Sequence, residues 1–312
     1  MLITDEAFAG GLSQLGNNGN FGLKLHEHDK YNGSFRARKS YHFFDNVIVC
    51  LGSDIEDAVT DHPTETTIFQ MAAPDAAAQT YWTNYHPGDK TWMDQNGTGY
   101  YTPCKAVFTG LTEQQSRRED NGKATQGQWA TLYIDHGTAP KGASYEYAML
   151  PQTTPDALTA FAAAPTYKVI KQDHDAHIVR SETTGTLSYV IFETPKGILP
   201  GGPLLKADTS CLAMVRMVGA RKMVLTVAQP DLALYRGPSD DIKVNGKNAE
   251  RSIYGRKWRD NPSLDIPVTV TLLGKWTFTP QRNITLVAQD AKTTTIRFDC
   301  KDGLSYNIEL NK

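Results

Sequence analysis

One carboxylate stands at the start of a predicted strand. Glu65 directly precedes residues 66–70, which are rich in β-branched and aromatic side chains, and it follows a loop that carries several further carboxylates. Residues at strand ends are held rigidly and often face clefts, so Glu65 is a candidate catalytic carboxylate. A solvated carboxylate is the plainer interpretation, and the residues alone leave both open.

A short basic segment, SFRARKS, supplies candidate anion-binding groups. On a strand, Arg36 and Arg38 share a face and offer two planar guanidinium groups suited to carboxylate or sulfate. We therefore predict that Arg36, Arg38 and Lys39 bind an acidic substrate. A solvated strand face is the alternative interpretation.

Three groups of polar residues have metal-binding atoms close together along the chain: His26 with His28; Asp173, His174, Asp175 and His177; and Asp89, Asp94 and Asn96. The first group lacks a clear third ligand, and the second resembles an ordinary hairpin loop. The third is rich in oxygen ligands but does not have the spacing of an EF-hand. We predict that the protein requires no metal or other cofactor, with calcium at the third group as the alternative.

Several classes of site are absent from the sequence. It contains no Gly-Xaa-Ser-Xaa-Gly, GxGxxG or Walker A pattern, so neither a serine-hydrolase elbow nor a standard phosphate loop is supported. Its four cysteines, Cys50, Cys104, Cys211 and Cys300, include no CxxC pair, which disfavours a zinc or thioredoxin-type site. Their pairing, and with it the redox compartment, stays open.

Composition limits the partners. The 312 residues include 32 Lys and Arg against 34 Asp and Glu, a net charge of −2, so no global basic field attracts nucleic acid. Mean hydropathy is −0.43 and no apolar run approaches the ~18 residues that cross a bilayer, so we expect no membrane span. The first residues, MLITDEAFAGG, do not read as a signal peptide. We expect either a cytosolic protein or an export signal outside this chain.

Period-two patterns divided by 25 glycines and 16 prolines predict a mainly β protein. Residues 41–44 and 47–52 predict a hairpin around Asp45 and Asn46. One helix is predicted, capped by Thr154 and beginning at Pro155. Further strands are predicted at 66–70, 128–135, 144–150, 167–171, 177–180, 187–192, 211–217, 222–228, 266–273, 284–288, 294–299 and 306–310.

The densest cluster of proline and glycine, TPKGILPGGP, predicts a linker because it sustains neither strand nor helix. We therefore expect a large antiparallel β-sandwich over residues 1–194, a linker over 195–204, and a smaller antiparallel β domain over 205–312.

Several ordered segments resemble polysaccharide lyase family 8. FGLKLHEHDKYNGSFRARKSYHFFDNVIVCLGSDI is followed by HPTETTIFQ, TGYY, KATQGQWATLYIDHG and KGASYEYAMLP. Together they resemble that family's central β-sandwich, closest to the chondroitin sulfate ABC lyases. The stretch from LKADTSCLAMVRMV onward is similar to its small C-terminal β domain, so the resemblance covers nearly the whole chain.

The resemblance implies a secreted or periplasmic enzyme that cleaves acidic glycosaminoglycans by β-elimination. This reaction neutralises the uronate carboxylate, removes the C5 proton and protonates the departing oxygen. In the family, a His, a Tyr and an Arg on an N-terminal helical toroid do most of this, assisted by a Glu of the sandwich. By motif that Glu is Glu65, which would orient and charge-balance the toroid groups.

The toroid has no counterpart in these 312 residues. Two functions follow as expectations. In the first, the chain is the non-toroid part of a glycosaminoglycan lyase, supplies Glu65 and one wall of the substrate cleft, and is inactive alone. In the second, it is a stand-alone carbohydrate-binding or structural β module.

Overall fold

The computed structural model describes residues 6–28, 31–82, 85–86, 88–115, 126–233, 243–244, 247–248 and 263–312. Two helices are described, α1 (Ala76–Tyr81) and α2 (Pro155–Ala163). The first ten strands are β1 (Ala9–Gln14), β2 (Asn18–His26), β3 (Arg36–Phe44), β4 (Val47–Glu56), β5 (Glu65–Ala72), β6 (Thr91–Met93), β7 (Gly99–Tyr101), β8 (Val107–Gln115), β9 (Gln126–Asp135) and β10 (Ala143–Leu150). The remaining strands are β11 (Tyr167–Gln172), β12 (Ala176–Ser181), β13 (Leu187–Ile191), β14 (Leu204–Ala207), β15 (Cys211–Met217), β16 (Lys222–Ala228), β17 (Lys243–Val244), β18 (Lys247–Asn248), β19 (Ile266–Leu273), β20 (Ile284–Gln289), β21 (Thr293–Cys300) and β22 (Tyr306–Asn311).

Four antiparallel sheets carry most of the described structure, and they confirm the prediction of a mainly β fold. The seven-stranded sheet has the order β1-β2-β3-β4-β10-β7-β6, and the three-stranded sheet has the order β5-β9-β8. The six-stranded sheet has the order β11-β12-β13-β15-β16-β22, and the four-stranded sheet has the order β14-β19-β21-β20. In addition, β17 and β18 form a short pair.

The sheets stack in the order three-, seven-, six- and four-stranded. Three apolar layers show this order, since each layer contains residues of two neighbouring sheets. Along β4, Val49 and Leu51 lie in the layer shared with the six-stranded sheet, whereas Cys50 between them lies in the layer shared with the three-stranded sheet. Along β12, Ile178 and Val179 likewise point into two different layers. The central strands of the two inner sheets, such as β4 and β13, are buried on both faces, and this explains unbroken apolar runs such as VIVCLG.

The predicted hairpin and helix are both confirmed. Strands β3 and β4 pair from Phe44 and Val47 outward, and Asp45 in the turn has a positive φ of 51°, a conformation that Asp tolerates without a glycine. Helix α2 begins at Pro155, and the Thr154 side chain accepts a hydrogen bond from the Ala157 N–H. Its buried face carries Leu158 and Phe161.

The predicted linker, residues 195–204, runs mostly without regular structure, as its prolines and glycines require. It nevertheless joins strands of one packed unit. Strand β13 before it pairs directly with β15 after it, from Leu187 with Val215 to Ile191 with Cys211. The six-stranded sheet therefore extends across the predicted boundary, and residues 204–207 form β14. Local composition marks an irregular segment but carries no information about which strands pair around it.

Two strands that the sequence pattern did not reveal, β1 and β2, contain glycines and asparagines that disfavour strands in isolation. Packing explains one of these glycines. A Cβ at Gly22 would lie 2.4 Å from Val190 Cγ1 in the facing sheet, so only glycine permits this close approach of the two sheets.

In the described part of the chain, no helix is both long enough and apolar enough to cross a bilayer.

Candidate functional site

Glu65 is the first residue of β5, and its side chain is exposed while that of Thr66 is buried. Across the ladder it faces Asp135, the last residue of β9. Partial burial, together with the charge of Asp135, raises the pKa of Glu65. The Tyr133 hydroxyl belongs to the same group, since burial and both carboxylates raise its pKa. Glu65 is thus one of two outward carboxylates beside a phenol.

The backbone around Glu65 is fixed on both sides. The Thr64 N–H donates to the Gly137 carbonyl, and the His136 N–H donates to the Thr64 carbonyl, each at 2.9 Å. The Thr66 hydroxyl lies 2.9 Å from His136 Nε2. Burial lowers the pKa of His136, so this ring is predominantly neutral at pH 7. Glu65 therefore presents its carboxyl side chain from a rigid strand end.

Lys39 lies on the face of β3 that packs towards Tyr145, with Nζ 5.8 Å from the centre of that ring. Partial burial lowers the pKa of Lys39. Its charge also contributes to lowering the pKa of His136. The charge of Lys39 therefore acts on the His136 ring, which contacts the Thr66 hydroxyl.

Arg38 is engaged in two ion pairs. Its Nη1 lies 2.7 Å from Asp54 Oδ2, and its Nη2 lies 2.6 Å from Glu193 Oε1, with only 15% of the side chain exposed. Each carboxylate has a second basic neighbour, because Lys24 Nζ lies 2.7 Å from Glu193 and His174 Nδ1 lies 2.8 Å from Asp54. Arg38 is therefore largely neutralised by groups of this chain.

Arg36 differs from Arg38 although the two were predicted to act together. Its side chain is exposed, and Nη2 lies 3.1 Å from His26 Nε2. The ladder between β3 and β4 has an irregularity between these two arginines, where Arg36 faces Glu56 and Arg38 faces Ser53. Of the two guanidinium groups, that of Arg36 has the greater access to solvent.

The four predicted site residues lie in two different sheets. Glu65 belongs to the three-stranded sheet, whereas Arg36, Arg38 and Lys39 belong to β3 of the seven-stranded sheet. Arg38 and Lys39 face opposite sides of that strand: Arg38 bonds Glu193, which follows β13, and Lys39 lies beside Tyr145. None of the contacts found among the described residues joins Glu65 directly to the three basic side chains.

The oxygen-rich loop is held by its own hydrogen bonds. Asp94 is 4% exposed and accepts bonds from the backbone N–H groups of Asn96 and Thr98 and from the Tyr100 hydroxyl. Asp89 accepts a bond from the His86 N–H. Among the described residues, no three His, Cys, Asp or Glu side chains are arranged to hold a metal ion.

Residues 3–162 match the family described as polysaccharide lyase family 8, super-sandwich domain. The chain belongs to polysaccharide lyase family 8. It is 59% identical over 313 residues to a chondroitin sulfate ABC exolyase of Bacteroides thetaiotaomicron. This match covers 100% of this chain and 31% of that protein. A chondroitin sulfate ABC exolyase of Proteus vulgaris is 33% identical over 91% of this chain and 29% of its own length.

The fold agrees with this membership. A solved structure of a variant of the Streptomyces coelicolor A3 chondroitin AC lyase superposes with a TM-score of 0.73 at 19% identity, over 98% of this chain and 36% of that chain. The chain thus spans about a third of the length of the family 8 proteins it matches.

The sequence patterns did not indicate Asp135, Tyr133 or His136 as neighbours of Glu65. All three lie in or just after the predicted strand 128–135, within the segment TLYIDHG. The missing information was the pairing of β5 with β9, which places Glu65 opposite Asp135. Period-two alternation does place Tyr133 and Asp135 on one face, and this was the available signal.

Proposed function

We propose that this chain is the non-toroid part of a glycosaminoglycan lyase that acts by β-elimination, and that it supplies Glu65 and one wall of the substrate cleft. The observation that carries the proposal is the 59% identity, along the whole chain, to a chondroitin sulfate ABC exolyase. The chain covers 31% of that relative, so the proposal also requires catalytic groups from a helical toroid partner.

The geometry of Glu65 supports its proposed role. An ionised carboxylate can only accept hydrogen bonds, and a rigid strand end lets it hold a cationic or hydroxyl group in one orientation. In this role Glu65 is a positioning and charge-balancing group for toroid side chains, and another residue removes the C5 proton.

The substrate in this proposal is a chondroitin or dermatan sulfate chain, handled outside the cytoplasm and without a required cofactor. Arg36 and Lys39 are the basic groups that best fit the wall of such a cleft. Arg36 has an exposed guanidinium group, and the charge of Lys39 acts on His136, which directly follows Asp135, the residue opposite Glu65. Arg38 is a poorer candidate because two carboxylates already bind it.

A domain exchange tests the proposal. The matching part of the Bacteroides thetaiotaomicron exolyase is replaced by this chain, and turnover of chondroitin sulfate is followed by the ultraviolet absorbance of the unsaturated uronate product. We expect the hybrid to be active and this chain alone to be inactive. Turnover by the chain alone, or a folded hybrid without activity, contradicts the proposal.

The role of Glu65 is tested in the same hybrid. Because one oriented group near a reaction centre is typically worth ~10²–10³ in rate, Glu65→Gln should lower kcat by about that factor with little change in KM. The matched control is Glu182→Gln, which removes a carboxylate from the exposed Arg180–Glu182 ion pair and should leave turnover unchanged. Near-normal turnover of the Glu65→Gln hybrid contradicts the assignment.

A further inference from the structure

A row of polar side chains is buried between the seven- and six-stranded sheets, where apolar packing is the rule. Its members are each no more than 5% exposed: Asn20, Ser40, His42, Ser53, His177 and Ser188. We call this set the buried polar row. It contains two histidines that no other part of the proposed function uses.

The members of the buried polar row form one continuous series of hydrogen-bond contacts. Ser188 Oγ lies 2.7 Å from His42 Nδ1, and Ser40 Oγ lies 2.9 Å from His42 Nε2. Ser40 Oγ also lies 2.8 Å from His177 Nδ1, and His177 Nε2 lies 2.9 Å from Ser53 Oγ. The series therefore crosses three times between the sheets, since Ser40, His42 and Ser53 belong to one and His177 and Ser188 to the other.

One end of the series fixes the direction of every bond. Ser53 Oγ donates its single hydrogen to the Asp173 carbonyl at 3.0 Å, because a carbonyl can only accept. His177 must then donate from Nε2 to Ser53, and its neutral ring accepts at Nδ1 from the Ser40 hydroxyl. The same step repeats: His42 donates from Nε2 to Ser40 and accepts at Nδ1 from the Ser188 hydroxyl.

The other end is closed by a group that can only donate there. Asn20 Nδ2 lies 2.9 Å from Ser188 Oγ and also reaches the carbonyls of Tyr189 and Ala213, at 3.1 and 3.2 Å. Contacts with two carbonyls identify this atom as the amide nitrogen. The buried polar row thus runs from a donor at Asn20 to an acceptor at Asp173, and each serine hydroxyl in it donates its hydrogen to an acceptor.

We propose that the buried polar row has a single arrangement of protons, with His42 and His177 both neutral and protonated on Nε2. We further propose that these hydrogen bonds hold the two sheets together and are weakened when acid protonates either histidine. An added proton at His177 Nδ1 turns this atom from an acceptor into a donor, so the Ser40 oxygen accepts from both His177 Nδ1 and His42 Nε2. The Ser40 hydroxyl hydrogen then faces donors only and loses its partner.

The charges around the two rings favour the neutral state. Burial lowers the pKa of His177 to about 3, and the charge of Arg38 adds to this effect while that of Asp173 opposes it. The Asp173 carboxylate is itself paired with Lys171. His42 is fully buried, and the charged form of His177 would lower its pKa further.

The remaining charged groups near the buried polar row belong to one network. Arg38, which faces His177, is paired with Asp54 and Glu193, and His174 Nε2 lies 3.4 Å from the Arg38 guanidinium. Lys24 also binds Glu193. Apolar rings cover the other sides: Phe192 meets His177 edge-on at 4.9 Å, and Phe44 stacks on His42 at 6.5 Å.

Nitrogen-15 NMR of the histidine rings tests the proposal in the unmodified protein. Long-range correlation spectra of the histidine-labelled chain distinguish the Nε2–H tautomer, the Nδ1–H tautomer and the charged ring. The rings of His42 and His177 are identified by their proximity to Phe44 and Phe192. We expect both to show the neutral Nε2–H pattern with constant shifts from pH 5 to 8. Titration of either buried ring in this window, or an Nδ1–H pattern, overturns the proposal.

A variant tests the coupling of the two rings. Ser40→Ala removes the hydroxyl that accepts from His42 and donates to His177, so both rings lose one partner. We expect the ring-nitrogen shifts of both histidines to change together, and the pH at which the protein unfolds in acid to rise. Ser144→Ala, at an exposed serine of β10, is the matched control and should leave both unchanged. Unchanged ring-nitrogen shifts in a folded Ser40→Ala protein contradict the proposal. If this variant does not fold, the spectra of the unmodified protein decide alone.

Discussion

Replacing Arg38 by methionine separates a structural role from a substrate-binding role. Arg38 makes two charge-assisted hydrogen bonds, at 2.7 Å to Asp54 and 2.6 Å to Glu193. Such bonds contribute ~1.5–3 kcal/mol when buried, whereas exposed ion pairs contribute ~0–1 kcal/mol. The side chain is 15% exposed and its partners are 25% and 36% exposed, so we take an intermediate value. That value is about 1 kcal/mol per bond.

The expected loss for Arg38→Met is therefore about 2 kcal/mol of the free energy of unfolding. Lys24 stays beside Glu193 and His174 stays beside Asp54, which keeps the penalty for the orphaned carboxylates small. With an unfolding entropy of ~2.1 cal/mol/K per residue, this loss lowers the Tm of a chain of 312 residues by roughly 3 °C. Thermal unfolding followed by circular dichroism measures it.

The matched control is Arg36→Met, because Arg36 is exposed on the same strand. It should change stability by less than ~0.5 kcal/mol, the usual range for exposed residues. Calorimetry with sulfated chondroitin oligosaccharides gives the second readout. We expect weak, salt-sensitive binding that falls in Arg36→Met and is unchanged in Arg38→Met, since exposed charges contribute only ~0.2–1 kcal/mol each. An Arg38→Met protein of normal stability that no longer binds the oligosaccharide would refute the structural role of Arg38.

Three further predictions concern stability. Gly52→Ala should cost about 1–3 kcal/mol of the free energy of unfolding, because the added Cβ would lie 2.1 Å from the Tyr145 ring. Gly197→Ala, which has open space around the added Cβ, should be nearly neutral. Urea unfolding compares the two variants, and equal unfolding midpoints contradict the packing argument. Burial lowers the pKa of His177 to about 3 in the folded state, whereas in the unfolded chain this ring binds a proton below a pKa of ~6.5. The contribution of His177 to the free energy of unfolding is therefore complete above pH ~6.5 and is lost as the pH falls. About 2 kcal/mol of stability should be gone at pH 5, and an equal free energy of unfolding at pH 7 and pH 5 would speak against it. Thr154→Ala should cost ~1 kcal/mol by removing the cap of α2, and Thr154→Ser, which keeps the hydroxyl, should restore most of it in the same urea assay.

The sequence predicts the local elements of this fold well, because the signals for them are local. The predicted strands 211–217, 222–228 and 266–273 coincide with β15, β16 and β19, and Thr154 and Pro155 mark the start of α2. Apolar periodicity and turn chemistry determine these elements within a few residues of sequence. The start of β5 at Glu65 was predicted to within one residue for the same reason.

What the sequence does not predict arises from pairing between distant segments. Glu193 lies 155 residues from the Arg38 that it neutralises, and no property of SFRARKS reveals that partner. Asp135 becomes a neighbour of Glu65 only when β5 pairs with β9. His177 was weighed as a metal ligand within a polar loop, but it lies buried between two sheets, bonded to Ser40 and Ser53. The local sequence around His177 looks the same whether the residue lies in a polar loop or is buried between two sheets.

The position of β22 affects how this protein is made in the cell. Strand β22 occupies the edge of the six-stranded sheet next to β16, although all other strands of that sheet lie between residues 167 and 228. A nascent chain on the ribosome therefore completes β16, sequence KMVLTVA, well before its last neighbour has been synthesised. Until β22 arrives, one side of a long apolar strand has open hydrogen-bonding groups, which is the kind of edge that recruits other chains into aggregates. In the folded protein, residues 306–311 cover the side of β16 that would otherwise be an open edge.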